Sequence, residues 1–161
     1  MAAAMWDIKD LLVVVIGYLG RVRGATRIQK VVFLLINEAG LDVDVEFLPH
    51  LYGPWSPQIC TALKELEKEN VIEVRVEEVS VQDEAPPKIY MLSEKGKRIY
   101  DKLISTLDPL ERLRIAYILS RYGHMPLTYL ISYVYSKYPE YSILSRISDK
   151  VYRWRKAYGL R

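Results

Sequence analysis

The stretch "VIEVRVEEVSVQDEAPPKIYMLSEKGKRIYDKL", Val71 to Leu103, changes period part-way along. "VIEVRVEEVSV" and "KIYML" alternate at period two, and "QDEAPP" between them is a turn, so this part predicts a β-hairpin. Ser93 then opens a helix that runs to about Ser105, with Gly96 a mildly unfavourable residue near its first turn. A strand that passes at once into a helix is where the wing of a winged helix-turn-helix returns to the body of its domain. That fold requires three helices upstream.

All three are legible. Ile8, Leu11, Leu12, Val15 and Leu19 recur at helical spacing and predict a helix from Asp7 to Tyr18, ending near Gly20. A second has the apolar face Ile28, Val31, Val32, Leu35 and Ile36, and ends at Glu38, Ala39 and Gly40. Ser56 followed by Pro57 starts the third, because the hydroxyl can cap free N–H groups and proline is tolerated at the first helical position. It should run to about Glu69 with Ile59, Leu63 and Leu66 inward beside Cys60 and Ala62, and with Gln58, Thr61, Lys64, Glu65 and Lys68 outward. Asn70 follows as its C-cap. Between the second and third helices, Val43, Val45 and Phe47 alternate with acidic residues, as in a short half-exposed strand or an extended loop.

The rest reads as helix. Asp108, Pro109 and Glu111 start one that runs to Arg121, with Leu110, Leu113, Tyr117 and Ile118 inward. Pro126 opens another that Pro139 stops, and Ser142 caps the last, from Ile143 to about Tyr158, with Ile143, Ile147, Val151 and Trp154 on one face. The expected fold is mainly α, in the α+β class. Residues 1–106 form a winged helix-turn-helix lobe, and residues 107–161 form a C-terminal helical extension packed on it.

Composition narrows the function classes. The longest apolar run, Leu11 to Leu19, is too short to span a bilayer, and the acids before it are not the flank of a signal peptide; the expectation is a cytoplasmic chain with no membrane partner. Cys60 is the only cysteine, and His50 and His124 are far apart, so no disulfide, metal site or cofactor is expected. Many Glu, Lys, Arg and Tyr beside few Asn and Gln hint at a thermophilic source. Neither a Ser/His/Asp spacing nor a phosphate-cradling glycine loop is visible, and the chain is not expected to be an enzyme.

The net charge of +3 is unevenly spread. Residues 102–161 carry eleven Lys and Arg against four Asp and Glu, which is +7, the footprint of a polyanion partner or of a solvated charged face. Two clusters stand out. Arg21, Arg23, Arg27 and Lys30 gather at the start of the second helix, where free N–H groups and the helix dipole favour an anion. In the last helix Arg146, Lys150, Arg153 and Lys156 follow at steps of four, three and three, with Arg155 beside them and Tyr152 and Trp154 interleaved. Such a surface suits nucleic acid, although Trp154 also continues the apolar stripe.

"YGPWSPQICTALKELEKENVI" with "KIYMLSEKGKRIYDKL" resembles winged-helix proteins of the PadR and MarR kind. A closer similarity, through "RIQKVVFLL" (Arg27 to Leu35), "YGPWS" (Tyr52 to Ser56) and "YVYSKYPEYSILS" (Tyr133 to Ser145), is to the YwgA-like proteins and, more distantly, to the Panacea proteins related to SocA-type antitoxins. The resemblance implies a winged-helix fold and a regulatory or antitoxin-like role, with no catalytic residues to carry over.

The expected function is duplex DNA binding by a transcriptional regulator. Arg21, Arg23, Arg27 and Lys30 would meet phosphates, Gln58, Thr61, Lys64 and Lys68 would face the groove, and the basic last helix would add charge. The wing opposes this with Glu73, Glu77, Glu78, Asp83 and Glu84 against Arg75 and Lys88. The rival is therefore a protein-interaction module, antitoxin-like or part of an RNA-protein assembly, docking that acidic wing on a basic partner. Tyr129, Tyr133, Tyr135, Tyr138 and Tyr141 are either core or the surface of a homodimer or partner complex.

Overall fold

The structure, a computed structural model, describes residues 5–77, 86–145 and 147–160. It is a mixed α+β fold of helices around a small antiparallel sheet. The element order is α1 (Ile8–Leu19), β1 (Val22–Arg23), α2 (Ala25–Asn37), β2 (Leu48–His50), β3 (Gly53–Trp55), α3 (Pro57–Lys68), β4 (Ile72–Val76), β5 (Lys88–Leu92), α4 (Glu94–Thr106), α5 (Pro109–Tyr122), α6 (Leu127–Lys137), a 3₁₀ turn at Pro139–Ser142, and α7 (Ser148–Ala157).

The run "LLVVVI" makes α1 the central helix, buried from Leu11 to Ile16 on every side, as expected of a helix without a polar face. Asp7 caps it through the N–H groups of Lys9 and Asp10, and Gly20 ends it at a φ of 81°. Against α1 pack α3, α4, α5 and the sheet. The sheet order is β1-β5-β4, with Val22 opposite Tyr90 and Ile72 opposite Leu92. A separate hairpin, β2 with β3, pairs Leu48 with Trp55 and His50 with Gly53.

The quoted stretch folds as its periods predict where it is described. Val71 O accepts both the N–H and the hydroxyl of Ser93, and that hydroxyl in turn accepts the N–H of Gly96 at 3.0 Å. One serine thus ties the strand to the helix. Asn70, at a φ of 61°, makes the left-handed turn after α3. The tip of the hairpin, with Glu78, Asp83 and Glu84, lies outside the described residues.

Four expectations are corrected. Leu110, Leu113 and Tyr117 do not point inward; they are 55%, 66% and 58% exposed, and α5 docks instead through Ile115, Ile118, Leu119 and Tyr122. Two apolar stripes run along this helix, and a periodicity cannot choose between them. The last helix begins at Ser148 rather than Ile143, which is 75% exposed. Its serines bond locally instead, Ser142 Oγ to Pro139 O and Ser145 Oγ to the N–H of Ile147, in competition with helix. Ser142 accordingly closes the 3₁₀ turn and does not cap α7. Ser56 makes no hydroxyl cap on α3 either; its backbone is held by Gln29.

Residues of α5 and α6 belong to the same continuous core as α1 to α3, whereas α7 attaches through a smaller cluster of Ile131, Tyr135 and Val151 with Trp154 against it. The tyrosines are used internally. Tyr138 and Tyr141 meet the Phe33 ring edge-on, Tyr135 is buried, and Tyr133 donates to Glu38 at 2.6 Å. Burial, with the Glu38 carboxylate behind it, pushes the Tyr133 phenol well above its usual range.

Candidate nucleic-acid interface

The outward face of α3 is open. Thr61, Lys64 and Lys68 are exposed, and helical spacing sets them on one side. Gln58 is exposed too but engaged: its amide oxygen accepts the Glu46 N–H at 2.7 Å and its amide nitrogen faces Asp44 O at 3.4 Å. It holds the extended loop of residues 42–47 to the start of α3, which resolves that segment as a loop apart from a single bridge between Val43 and Trp6.

Beside α3 lies a groove of about 500 Å³, between that helix, the β4–β5 hairpin and the first turn of α2. Arg23, Lys64 and Lys88 stand on it as cations, Glu67 as an anion, with Cys60 and Tyr90 in its lining. Lys88 was not among the residues singled out in the sequence as contacts. Its signal was there, a lysine after Pro86 and Pro87 at the first position of β5, but only the β1–β5 pairing brings it beside Arg23.

The first basic cluster divides. Arg21 and Arg23 are exposed, and Arg23 Nε meets Glu77 Oε2 at 2.6 Å in a solvent-exposed pair, of a kind worth at most about 1 kcal/mol. Arg27 is not a free phosphate contact. Its guanidinium donates to Gly123 O at 3.1 Å and Met125 O at 2.6 Å, satisfying carbonyls past the end of α5, and burial lowers its pKa without discharging it.

Lys30 is still further from the surface. Its side chain is fully buried, with Nζ donating to Pro54 O at 3.0 Å and lying 5.7 Å from the centre of the Trp55 ring. Desolvation lowers its pKa to about 7. Next to it, buried Gln29 accepts the Ser56 N–H and donates to Ser56 O, each at 2.9 Å. The two motifs "RIQK" and "YGPWS" are therefore one contact: two polar side chains of α2 anchor the backbone that launches α3.

The acids of α3 are less opposed to a polyanion than their number suggests. Lys9 of α1 pairs with both Glu65 and Glu69, turning that flank of the helix toward α1. On α7, Lys150, Arg153 and Lys156 are exposed, the last over the Tyr152 ring at 4.6 Å from its centre. Arg155 is half-buried, with its Nε enclosed and unpartnered, and Arg146 lies outside the described residues. Tyr158, just past α7, meets the Thr128 hydroxyl at 2.7 Å, and the neighbouring Leu127 lines the groove, so the end of α7 adjoins it.

Among the described residues no helix is long and apolar enough to cross a membrane, and no three His, Cys, Asp or Glu side chains converge as a metal site. Comparison with protein-family models and with curated proteins returned no match.

Proposed function

We propose that the chain is a cytoplasmic winged-helix protein that binds duplex DNA as a transcriptional regulator. The observation that carries this reading is the groove beside α3, with Arg23, Lys64 and Lys88 around the first turn of α2. The strand pairing supports it: β1 precedes the α2–α3 pair, and β5 returns to lie between β1 and β4, as in a helix-turn-helix that carries a wing. In that mode α3 enters the major groove with Thr61 toward base edges, while Lys64, Lys68 and Lys88 meet phosphates. Gly24 gives α2 no side-chain cap, which leaves its first N–H groups for an anion. The similarity to YwgA-like proteins rests on the motifs alone and agrees with this reading.

Glu77 then acts as a brake on Arg23. Replacing Glu77 with Gln is expected to free one cation, tighten duplex binding severalfold at about 50 mM salt and steepen the slope of log affinity against log salt by about 0.9. Fluorescence anisotropy with a labelled duplex reads both quantities. Weaker binding by Glu77→Gln would favour the competing mode, in which the acidic wing grips a basic protein partner.

A further inference from the structure

We propose that the free edge of β4 pairs with the same edge of a second copy of this chain, joining the two sheets into one. The order β1-β5-β4 leaves one side of β4 unpaired among the described residues. Glu77 N donates to Pro87 O and Ser93 N to Val71 O, each at 3.0 Å, so the odd-numbered positions along β4 are the ones bonded to β5. The N–H and C=O groups of Ile72, Val74 and Val76 therefore point outward, with no proline or bulge to blunt the edge. This association does not rest on the nucleic-acid reading.

The sequence of the strand selects the occupant. "IEVRV" reads apolar, acidic, apolar, basic, apolar, and an antiparallel copy centred on Val74 meets it with the opposite charge at each charged position. Val74 exchanges backbone bonds with Val74 of the other copy, Glu73 falls opposite Arg75, and Ile72 falls opposite Val76. That last contact covers a valine that is 59% exposed in the single chain. Glu73 and Arg75 are available for it, since within one chain they meet only each other, at 3.8 Å in an exposed pair of little worth. Glu77 is held by Arg23.

The charges also fix the register. Sliding one strand by two residues moves the centre to Glu73 or Arg75 and sets like charges face to face. In the Val74 register like charges meet only on the diagonals, about 7 to 8 Å apart, against about 4.5 to 5.5 Å for the opposed pairs. The two-fold axis through this centre stands perpendicular to the sheet, so the groove beside α3, which Val74 lines, opens on the same side in both copies. With β4 only five residues long, the contact is at the small end of interfaces, and dissociation is expected at about 10 to 100 μM.

Sedimentation equilibrium of the full chain, up to about 500 μM, tests the pairing by charge exchange. The wild type should dimerise. Glu73→Arg alone and Arg75→Glu alone should each weaken the dimer at least tenfold, with unchanged circular dichroism because both side chains are exposed. Mixed in equal amounts the two variants should recover a dimer close to wild-type affinity, since each supplies the charge that the other lacks. In a Cys60→Ser background, Val74→Cys should cross-link to itself on oxidation, its Cα atoms about 5.5 Å apart. Val76→Cys should not, because its copies stand about 13 Å apart along the strands, beyond disulfide reach. A wild-type chain that stays monomeric at about 500 μM, single variants as dimeric as the wild type, a mixture no more dimeric than its parts, or equal cross-linking at Val76→Cys would each overturn the proposal.

Discussion

Gly96→Ala is expected to destabilise the fold by about 3 kcal/mol or more, although alanine in place of glycine within a helix ordinarily gains about 1 kcal/mol. The reversal comes from one close approach. A Cβ at Gly96 would stand 2.1 Å from the Val71 carbonyl oxygen and 3.2 Å from Leu92 Cβ. Backbone cannot swing aside as the end of a side chain can. To make room, α4 must retreat from Val71, whose oxygen holds both the N–H and the hydroxyl of Ser93, so the cap of α4 is strained together with the strand-to-helix junction. Equilibrium urea denaturation measures the loss. A Gly96→Ala variant as stable as the wild type would mean that α4 does not sit on Val71.

Lys30→Met is expected to raise stability at neutral pH, and the gain should fade as pH climbs toward 10.5. Burial lowers the folded pKa of Lys30 to about 7 against an ordinary value of 10.5. Between these values the unfolded chain holds a proton that the folded chain has shed, so wild-type stability rises with pH by up to about 1.4 kcal/mol per unit. Below about 7 both states carry the proton, and the cost of burying it is felt in full. Methionine fills a similar volume without that cost, but it leaves Pro54 O without its donor, an offset of about 1 to 3 kcal/mol. A net gain of about 1 to 3 kcal/mol at pH 7 is expected by difference between the two denaturation curves. Taking the difference removes the buried tyrosines, which titrate in the opposite sense near the top of this range. A wild-type minus variant difference that stays flat from pH 7 to 10 would contradict the buried, discharging lysine.

What was legible in the sequence was local. The hairpin alternation, the Ser93 start and the glycine ends of α1 and α2 each depend on neighbours within a few residues, and each folds accordingly. What was not legible depended on distant partners. A lysine on a helix reads as surface, and nothing near Lys30 shows that Pro54, twenty-four residues on, encloses it. Arg27 likewise finds its carbonyls nearly a hundred residues away. The two-residue strand β1 exists only because β5 pairs with it. On α5 the stripe of Leu110, Leu113 and Tyr117 is as regular as the stripe that is buried, and only the docked positions of α1 and α2 decide between them. The candidate site was therefore half legible: Arg23, Thr61, Lys64 and Lys68 stand at the open face, while Lys30 and Arg27 hold the scaffold behind it.

The most direct measurement is the salt dependence of duplex DNA binding by the wild type, Lys64→Ala and Lys30→Met, followed by fluorescence anisotropy from about 50 to 200 mM salt with structured RNA as competitor. With Lys64, Lys68 and Lys88 on phosphates and Arg23 held by Glu77, the slope of log affinity against log salt should be about −3 in the wild type. Lys64→Ala should make it shallower by about one, Lys30→Met should leave it unchanged, and RNA should compete poorly. No duplex binding at about 50 mM salt, or a slope that Lys64→Ala does not alter, would contradict the assignment of this face to DNA.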